Sequence, residues 1–183
     1  ILTLLFGLYF TINPLAHRYP ASQVYADWVP ATPGDNNTTD TSNLSLIITN
    51  PSDPATPANV GEVAYRSSTF TVTAKNYNYY SVTLSAMKGF GSELRGKSNP
   101  FATVEGVGYN VAPSSFKDNT WGYAVTNNTS SSESSLTYNT APEYGQNAYV
   151  AVNKPLSGTV TQDYKITFAA KFGADMPSDN YQS

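Results

Sequence analysis

The sequence predicts an all-β protein, an antiparallel immunoglobulin-like β-sandwich preceded by an N-terminal apolar signal segment. Three observations carry this reading. Apolar and polar residues alternate with period two in 69–75, 80–86 and 163–172, the pattern of strands with one wet face. Runs of Asn, Ser, Thr, Gly and Pro separate these stretches, as turns require. Beyond residue 26 no window of helical period and useful length occurs. Short strands joined by polar turns bury their apolar faces by pairing two sheets or closing one.

Taken in order, residues 1–26 read as a secretory signal that is incomplete at its start. Ile1 to Ile12 is an apolar run, Pro14 breaks it, and Val24 and Ala26 supply small residues at −3 and −1 before Asp27. The run is shorter than the roughly 20 apolar residues of a bilayer span, so no membrane span is expected in the mature chain. The alternative is a buried N-terminal helix or strand of the folded domain. Residues 27–43, with Pro30, Pro33, Gly34 and the run Asp35 to Asn43, lack apolar period and read as a polar linker.

The domain is expected over 44–183. Leu44 to Thr49 is a short strand closed by Asn50-Pro51, and Gly61 to Arg66 reads as a short edge strand. Phe70, Val72 and Ala74 alternate with Thr71, Thr73 and Lys75; Tyr80, Val82, Leu84 and Ala86 alternate with Ser81, Thr83 and Ser85. The intervening Asn76-Tyr77-Asn78 reads as a hairpin turn. Weaker strands fall at 101–111 and 149–152, and residues 127–135 form a polar loop without a core residue. In 118–126, Trp121, Tyr123 and Val125 share a face; in 163–172, Tyr164, Ile166, Phe168, Ala170 and Phe172 do so, opposite Lys165, Thr167 and Lys171. Residues 174–180 read as a turn into a strand begun by Tyr181. A chain truncated there leaves a sheet edge open for self-association.

Composition narrows the function. Ten basic face thirteen acidic residues, nine against thirteen once Arg18 is lost, a net charge of −4 without basic clusters. That balance argues against nucleic acid and anionic membranes as partners. The chain has no cysteine, and its one histidine, His17, lies in the signal segment. The mature chain therefore assembles neither a Ser-His-Asp nor a Cys-His nucleophile, nor a zinc site of imidazole or thiolate ligands. Glu62, Glu93, Glu105, Glu133 and Glu143 are scattered at no telling spacing for a carboxylate pair about 5–9 Å apart. No catalytic residue, metal or cofactor is expected.

Three further readings compete with plain surface chemistry. Asp35, Asp40, Asp118, Asp175 and Asp179 flank turns as calcium ligands do, yet the EF-hand spacing is missing, and solvated turn aspartates are the simpler account. An internal Lys–Asn isopeptide bond needs a buried lysine, whereas Lys75, Lys165 and Lys171 share the polar parity of their strands. Aromatic platforms for sugar rings are the third. Trp121 and Tyr123 belong to a core face, which leaves Tyr77, Tyr79 and Tyr144 in turns as the candidate ligand-binding residues. The sequons at Asn36, Asn37, Asn43, Asn127 and Asn128 mainly reflect Asn/Thr-rich loops.

Three segments carry a family resemblance. They are the strand–Asn-rich turn–strand of 71–86, the Asn119-Thr120-Trp121-Gly122-Tyr123 stretch, and the alternating strand from Tyr164 through Met176-Pro177-Ser178 to Tyr181. Together they resemble the exported β-sandwich surface proteins of Saccharibacteria and other Patescibacteria, across roughly residues 69–183. Tyr79-Tyr80 stands where those proteins usually carry Gly-Tyr. The resemblance implies a secreted or cell-surface bacterial module without enzymatic activity, and it brings no catalytic residues. The expected function is structural or adhesive, with a surface glycan or protein as partner. The alternatives are a carbohydrate-binding module using the exposed tyrosines and a subunit of a strand-exchange surface filament.

Overall fold

A computed structural model describes residues 4–5, 8–14, 24–26, 36–41, 44–49, 59–75, 80–86, 92–143, 146, 148–153, 159–177 and 181–182. Among them there is no α-helix, and about half of the chain is strand. The strands are β1 (Leu4–Leu5), β2 (Leu8–Pro14), β3 (Val24–Ala26), β4 (Asn36–Thr41), β5 (Leu44–Thr49), β6 (Val63–Lys75) and β7 (Tyr80–Ala86). They continue as β8 (Leu94–Gly96), β9 (Thr103–Gly106), β10 (Thr120–Thr126), β11 (Ala148–Asn153), β12 (Thr159–Lys171) and β13 (Tyr181–Gln182). Nine form one sheet in the order β1-β13-β8-β9-β10-β12-β6-β5-β4, and four form a second, β11-β7-β2-β3.

The all-β expectation holds, but the long sheet is mixed and not purely antiparallel. β9 runs parallel to β10, and β1 parallel to β13. A parallel pair needs a crossover of about a dozen residues, and residues 107–119, with a single 3-10 turn at Pro113–Ser115, supply one. Pro at the first position of that turn costs nothing, because its missing N–H would have no partner there.

The long central pair is β6 with β12, antiparallel from Val63↔Lys171 to Lys75↔Thr159. The expected edge strand at 61–66 is the first part of this longer strand: among the described residues 63–68 pair with β12 alone, and β5 joins the other side only from Thr69 to Ala74. The expected hairpin between 69–75 and 80–86 does not form. β6 pairs with β5 and β12, while β7 pairs with β2 and β11, so the two strands belong to different sheets. Period-two alternation identifies both strands but says nothing of which neighbour each takes. Tyr181–Gln182 likewise does not return along β12. It pairs with β8 on one side and on the other with β1, which lies in the stretch read as signal.

Two segments expected outside the domain carry strands. Asn36–Thr41, within the stretch read as linker, pairs along its whole length with β5. Leu8–Pro14, within the stretch read as signal, pairs antiparallel with β7 from Leu8↔Ala86 to Pro14↔Tyr80, and Phe10 to Ile12 pairs with β3.

The expected core residues Phe70, Val72, Val82, Leu84, Trp121, Tyr123, Ile166 and Phe168 are all buried. They join Ala74, Tyr164, Ala170 and Phe172 in one cluster that draws on β7 as well as β6, β10 and β12. Phe70 and Tyr164, directly opposite in register, stack with ring centroids 5.1 Å apart. Trp121 is fully buried, and its indole N–H donates to the Ser92 carbonyl at 2.8 Å, so no polar atom of the ring goes unsatisfied.

The opposite face of β10 and β12 is not wet. Ala124, Thr167 and Ala169 are buried there, and a second cluster joins Ala124 and Ala169 to Phe116 and Tyr138, with Val63, Tyr65, Val107, Val111 and Leu136 packed around them. Residues 107–116 and 136–140 form this cover. Tyr138 meets Phe116 edge-on at 5.6 Å and donates its hydroxyl to the Glu133 carbonyl at 2.9 Å. Small residues at 122, 124 and 169 leave room for the cover. A Cβ on Gly122 would lie 2.7 Å from Val107 Cγ2 and 2.8 Å from the Asn139 carbonyl oxygen.

Candidate functional site

The cover over β10 also builds a displayed turn. Val107 N–H donates to the Trp121 carbonyl, Val111 and Tyr138 exchange hydrogen bonds at 2.9 Å, and Asn139 and Tyr123 exchange a pair at 2.8 and 2.9 Å. Between these anchors the chain reverses through Gly108 (φ +105°) and Asn110 (φ +57°), the residue types that adopt left-handed backbone at least cost. Thr140 clamps the turn. Its N–H donates to the Gly108 carbonyl at 2.7 Å, and its hydroxyl accepts from Gly108 N–H at 2.8 Å. The Asn139 side-chain oxygen accepts from Asn110 N–H at 2.9 Å. Tyr109, held between Gly108 and Asn110, is 87% exposed. The turn fixes the Tyr109 backbone, so meeting a partner orders only the two torsions of its side chain.

Beside this turn lies an open groove of about 500 Å³, lined by Ser92, Glu93, Arg95, Glu105, Gly106, Thr140 and Glu143. Its placement follows from alternation. Leu94 and Val104 are opposite in register and fully buried, which turns Glu93, Arg95 and Glu105 outward. Arg95 donates from Nε and a terminal nitrogen to one Glu93 oxygen at 2.8 and 2.6 Å. Both partners are well exposed, so the pair adds about 0–1 kcal/mol to stability and holds the guanidinium in place. Gly106 must be glycine, because a Cβ there would run into the Thr140 side chain. Thr140 therefore belongs both to the groove wall and to the clamp on the Tyr109 turn. Tyr123 titrates above its ordinary range, chiefly through burial and then through the neighbouring Tyr109 phenol.

A polar chain crosses the covered face of the sheet. Glu133 Oε1 accepts from Lys165 Nζ at 2.6 Å and from the Ser67 hydroxyl at 3.2 Å, and Ser67 in turn shares a 2.8 Å hydrogen bond with Thr167. Since the carboxylate only accepts, Ser67 donates to it and Thr167 donates to Ser67. The Lys165 hydrogen bond, then one from Glu133's own backbone, hold this carboxyl below the usual glutamate range, and the Ser67 bond adds a smaller effect. Lys165 is largely buried and paired with a glutamate, with Ser131 carbonyl as a further acceptor at 3.0 Å. The loop at 127–135, expected as a polar loop without a core residue, thus supplies the carboxylate that makes a lysine on this face tolerable.

The sequence-derived candidates divide. Tyr77, Tyr79 and Tyr144 lie outside the described residues, although Glu143, next to Tyr144, lines the groove. Of the turn aspartates, Asp118 and Asp175 come together around Gly173. Asp118 pairs with Lys171 at 2.8 Å, Asp175 accepts from Asn119 Nδ2 at 3.1 Å, and Asn119 Oδ1 accepts from Gly173 N–H at 2.8 Å. These contacts use the groups a cation would need, as self-capping turns do. Asp35 and Asp179 lie outside the described residues, as does His17, and Asp40 sits on β4. Among the described residues no three His, Cys, Asp or Glu side chains gather into a metal site. No described helix is long and apolar enough to cross a membrane.

Sequence reasoning missed Tyr109, Arg95 and the groove. A usable signal was present: Gly108-Tyr109-Asn110 places an aromatic between two residues that favour left-handed backbone. Comparison with protein-family models, curated proteins and solved structures finds no match for this chain.

Proposed function

We propose that this chain is an exported cell-surface module of bacterial type, an immunoglobulin-like β-sandwich that adheres to a partner and catalyses no reaction. The observation that carries the adhesive reading is the rigid display of Tyr109 on a hydrogen-bonded turn beside an open polar groove. Interfaces concentrate binding energy in such pre-positioned aromatic anchors. The sandwich is supported by one apolar cluster drawing on strands of both sheets. Export is supported by the apolar run before Pro14 and the Val24/Ala26 pair; the absence of cysteine and, after that cleavage, of histidine suits a module without catalytic nucleophiles. The resemblance to Saccharibacteria and Patescibacteria surface proteins points the same way.

The test has two arms. Secretion from a bacterial host is expected to yield a mature N-terminus at Asp27 by intact mass. Retention of residues 1–26 overturns export and leaves β2 and β3 as strands of the domain. The purified domain is then expected to bind whole bacterial cells saturably, with Tyr109→Ala weakening that binding; cells that bind neither form overturn adhesion.

A second reading has its own observation. Cleavage after Ala26 would remove β2, which pairs along the full length of β7, and so open that edge. An open edge invites a strand from another copy, as a strand-exchange filament subunit uses. Light scattering on a chain beginning at Asp27 discriminates. Growth of oligomers with concentration supports strand exchange, and a monomer throughout rejects it.

A further inference from the structure

We propose that Tyr109 and the groove of Arg95, Glu105, Thr140 and Glu143 form a binding site for a neutral glycan, with one sugar ring stacked on Tyr109 and its neighbour's hydroxyls held in the groove. The inference rests on the adhesive reading and names the ligand that such a surface would take.

Two features converge. A sugar ring offers an apolar C–H face and a rim of hydroxyls, so it needs a flat, exposed aromatic next to fixed donors and acceptors. Tyr109 provides the first, 87% exposed on a turn held by Gly108, Thr140, Asn139 and Asn110. The groove provides the second. Its lining supplies carboxylate acceptors from Glu93, Glu105 and Glu143, guanidinium donors from Arg95, and the hydroxyl of Ser92. Arg95 is already oriented by Glu93, and planar groups fixed in this way suit vicinal hydroxyl pairs. The two features are physically joined. Gly106 lines the groove three residues before Tyr109, and Thr140 both lines the groove and clamps Gly108. The groove's size falls within the range of pockets that hold small organic ligands.

Charge selects within the sugars. Three carboxylates and one guanidinium line the groove, so uronates, sialylated chains and phosphorylated glycans are repelled. A basic peptide would satisfy the carboxylates, but it would meet Arg95 head-on and would leave the guanidinium's outward donors without acceptors.

Calorimetric titration of the full chain with cellotetraose, maltotetraose, mannotetraose, tri-galacturonate and tetralysine tests the proposal. At least one neutral tetraose is expected to bind with a Kd below about 10 mM, and tri-galacturonate is not. Tyr109→Ala should weaken that binding about tenfold or more, whereas Tyr109→Phe should stay within about twofold, since stacking and not the hydroxyl carries the contact. Arg95→Ala should weaken it as well. Phe101→Ala, which removes an equally exposed aromatic in the turn before β9, should leave it unchanged. Tyr109 packs against little, so its variants should keep the wild-type urea midpoint. The proposal fails if no neutral tetraose binds, if binding ignores Tyr109, or if tetralysine binds in their place. If the protein adheres to cells while every sugar fails, only the glycan assignment falls. If it neither adheres nor binds sugar, the adhesive reading falls with it.

Discussion

Gly122→Ala is the substitution on which local propensity and tertiary packing disagree about sign. Gly122 lies within β10, where an alanine restricts the unfolded chain and is expected to stabilise by about 0.5–1 kcal/mol. The tertiary structure reverses this. The new Cβ would sit 2.7 Å from Val107 Cγ2, 2.8 Å from the Asn139 carbonyl oxygen and 3.3 Å from Tyr138 Cβ. Val107 has a side chain that can turn away, but the Asn139 carbonyl is fixed as acceptor for Tyr123 N–H, and Asn139 N–H donates back to Tyr123. Relief requires lifting 138–140 off the sheet, which strains both hydrogen bonds. Overpacking of about 1–3 kcal/mol and weakened hydrogen bonds of about 0.5–1.5 kcal/mol each outweigh the propensity gain, for a net loss of about 2–4 kcal/mol. Equilibrium urea unfolding followed by tryptophan fluorescence should show the midpoint fall by about 1–2 M at an unchanged slope. Adding Val107→Ala should recover part of the loss, because it removes the side-chain clash and leaves the carbonyl clash in place. A Gly122→Ala protein as stable as wild type would refute the idea that residues 107 and 138–140 cover this face.

Three other outcomes are expected. Phe168→Ala, on the apolar face of β12, should cost about 3–5 kcal/mol in the same urea assay, and a loss below about 1 kcal/mol would place Phe168 outside the packed interior. Tyr138→Phe removes the hydrogen bond to the Glu133 carbonyl but keeps the ring against Phe116, so a loss of about 1 kcal/mol is expected by thermal or urea unfolding, well short of that for Tyr138→Ala. The third concerns pH. Glu133 has a carboxyl lowered in the folded state relative to its ordinary 4.5, chiefly by Lys165, so its contribution is fully present above that value and disappears as pH falls through the lower folded value. Stability of wild type and Glu133→Gln, measured from neutral pH down to acid, should therefore differ most at neutral pH and converge at the acid end. Curves that stay parallel throughout would show that the Lys165–Glu133 contact carries no linkage.

Some of this protein was legible in the sequence alone. The alternation of Phe70, Val72 and Ala74, of Val82 and Leu84, and of Tyr164 through Phe172 identified strands and their core faces, because a pleated backbone sends successive side chains to opposite sides whatever the neighbouring strand is. Composition limited the chemistry for the same local reason: the sequence holds no cysteine and one histidine, His17, so residues 27–183 offer neither side chain. Pairing was not local. The Asn-rich stretch after Lys75 has the composition of a hairpin turn, yet β6 and β7 join different sheets, since the choice depends on which strands elsewhere complete each ladder. The two faces of β12 were equally unreadable in part. Thr167 and Lys165 have polar parity and were expected in water, but residues distant in sequence, Tyr138, Leu136 and Glu133, arrive to cover them. The groove has the same origin. Ser92, Arg95, Glu105, Thr140 and Glu143 share no pattern along the chain and become neighbours only when β8 pairs with β9 and residues 138–140 bridge to β10 and Val111. Sequence period therefore determined which way each strand faces, because that is a property of one backbone. Only the tertiary structure decided what each face meets, because contact depends on the path of the whole chain.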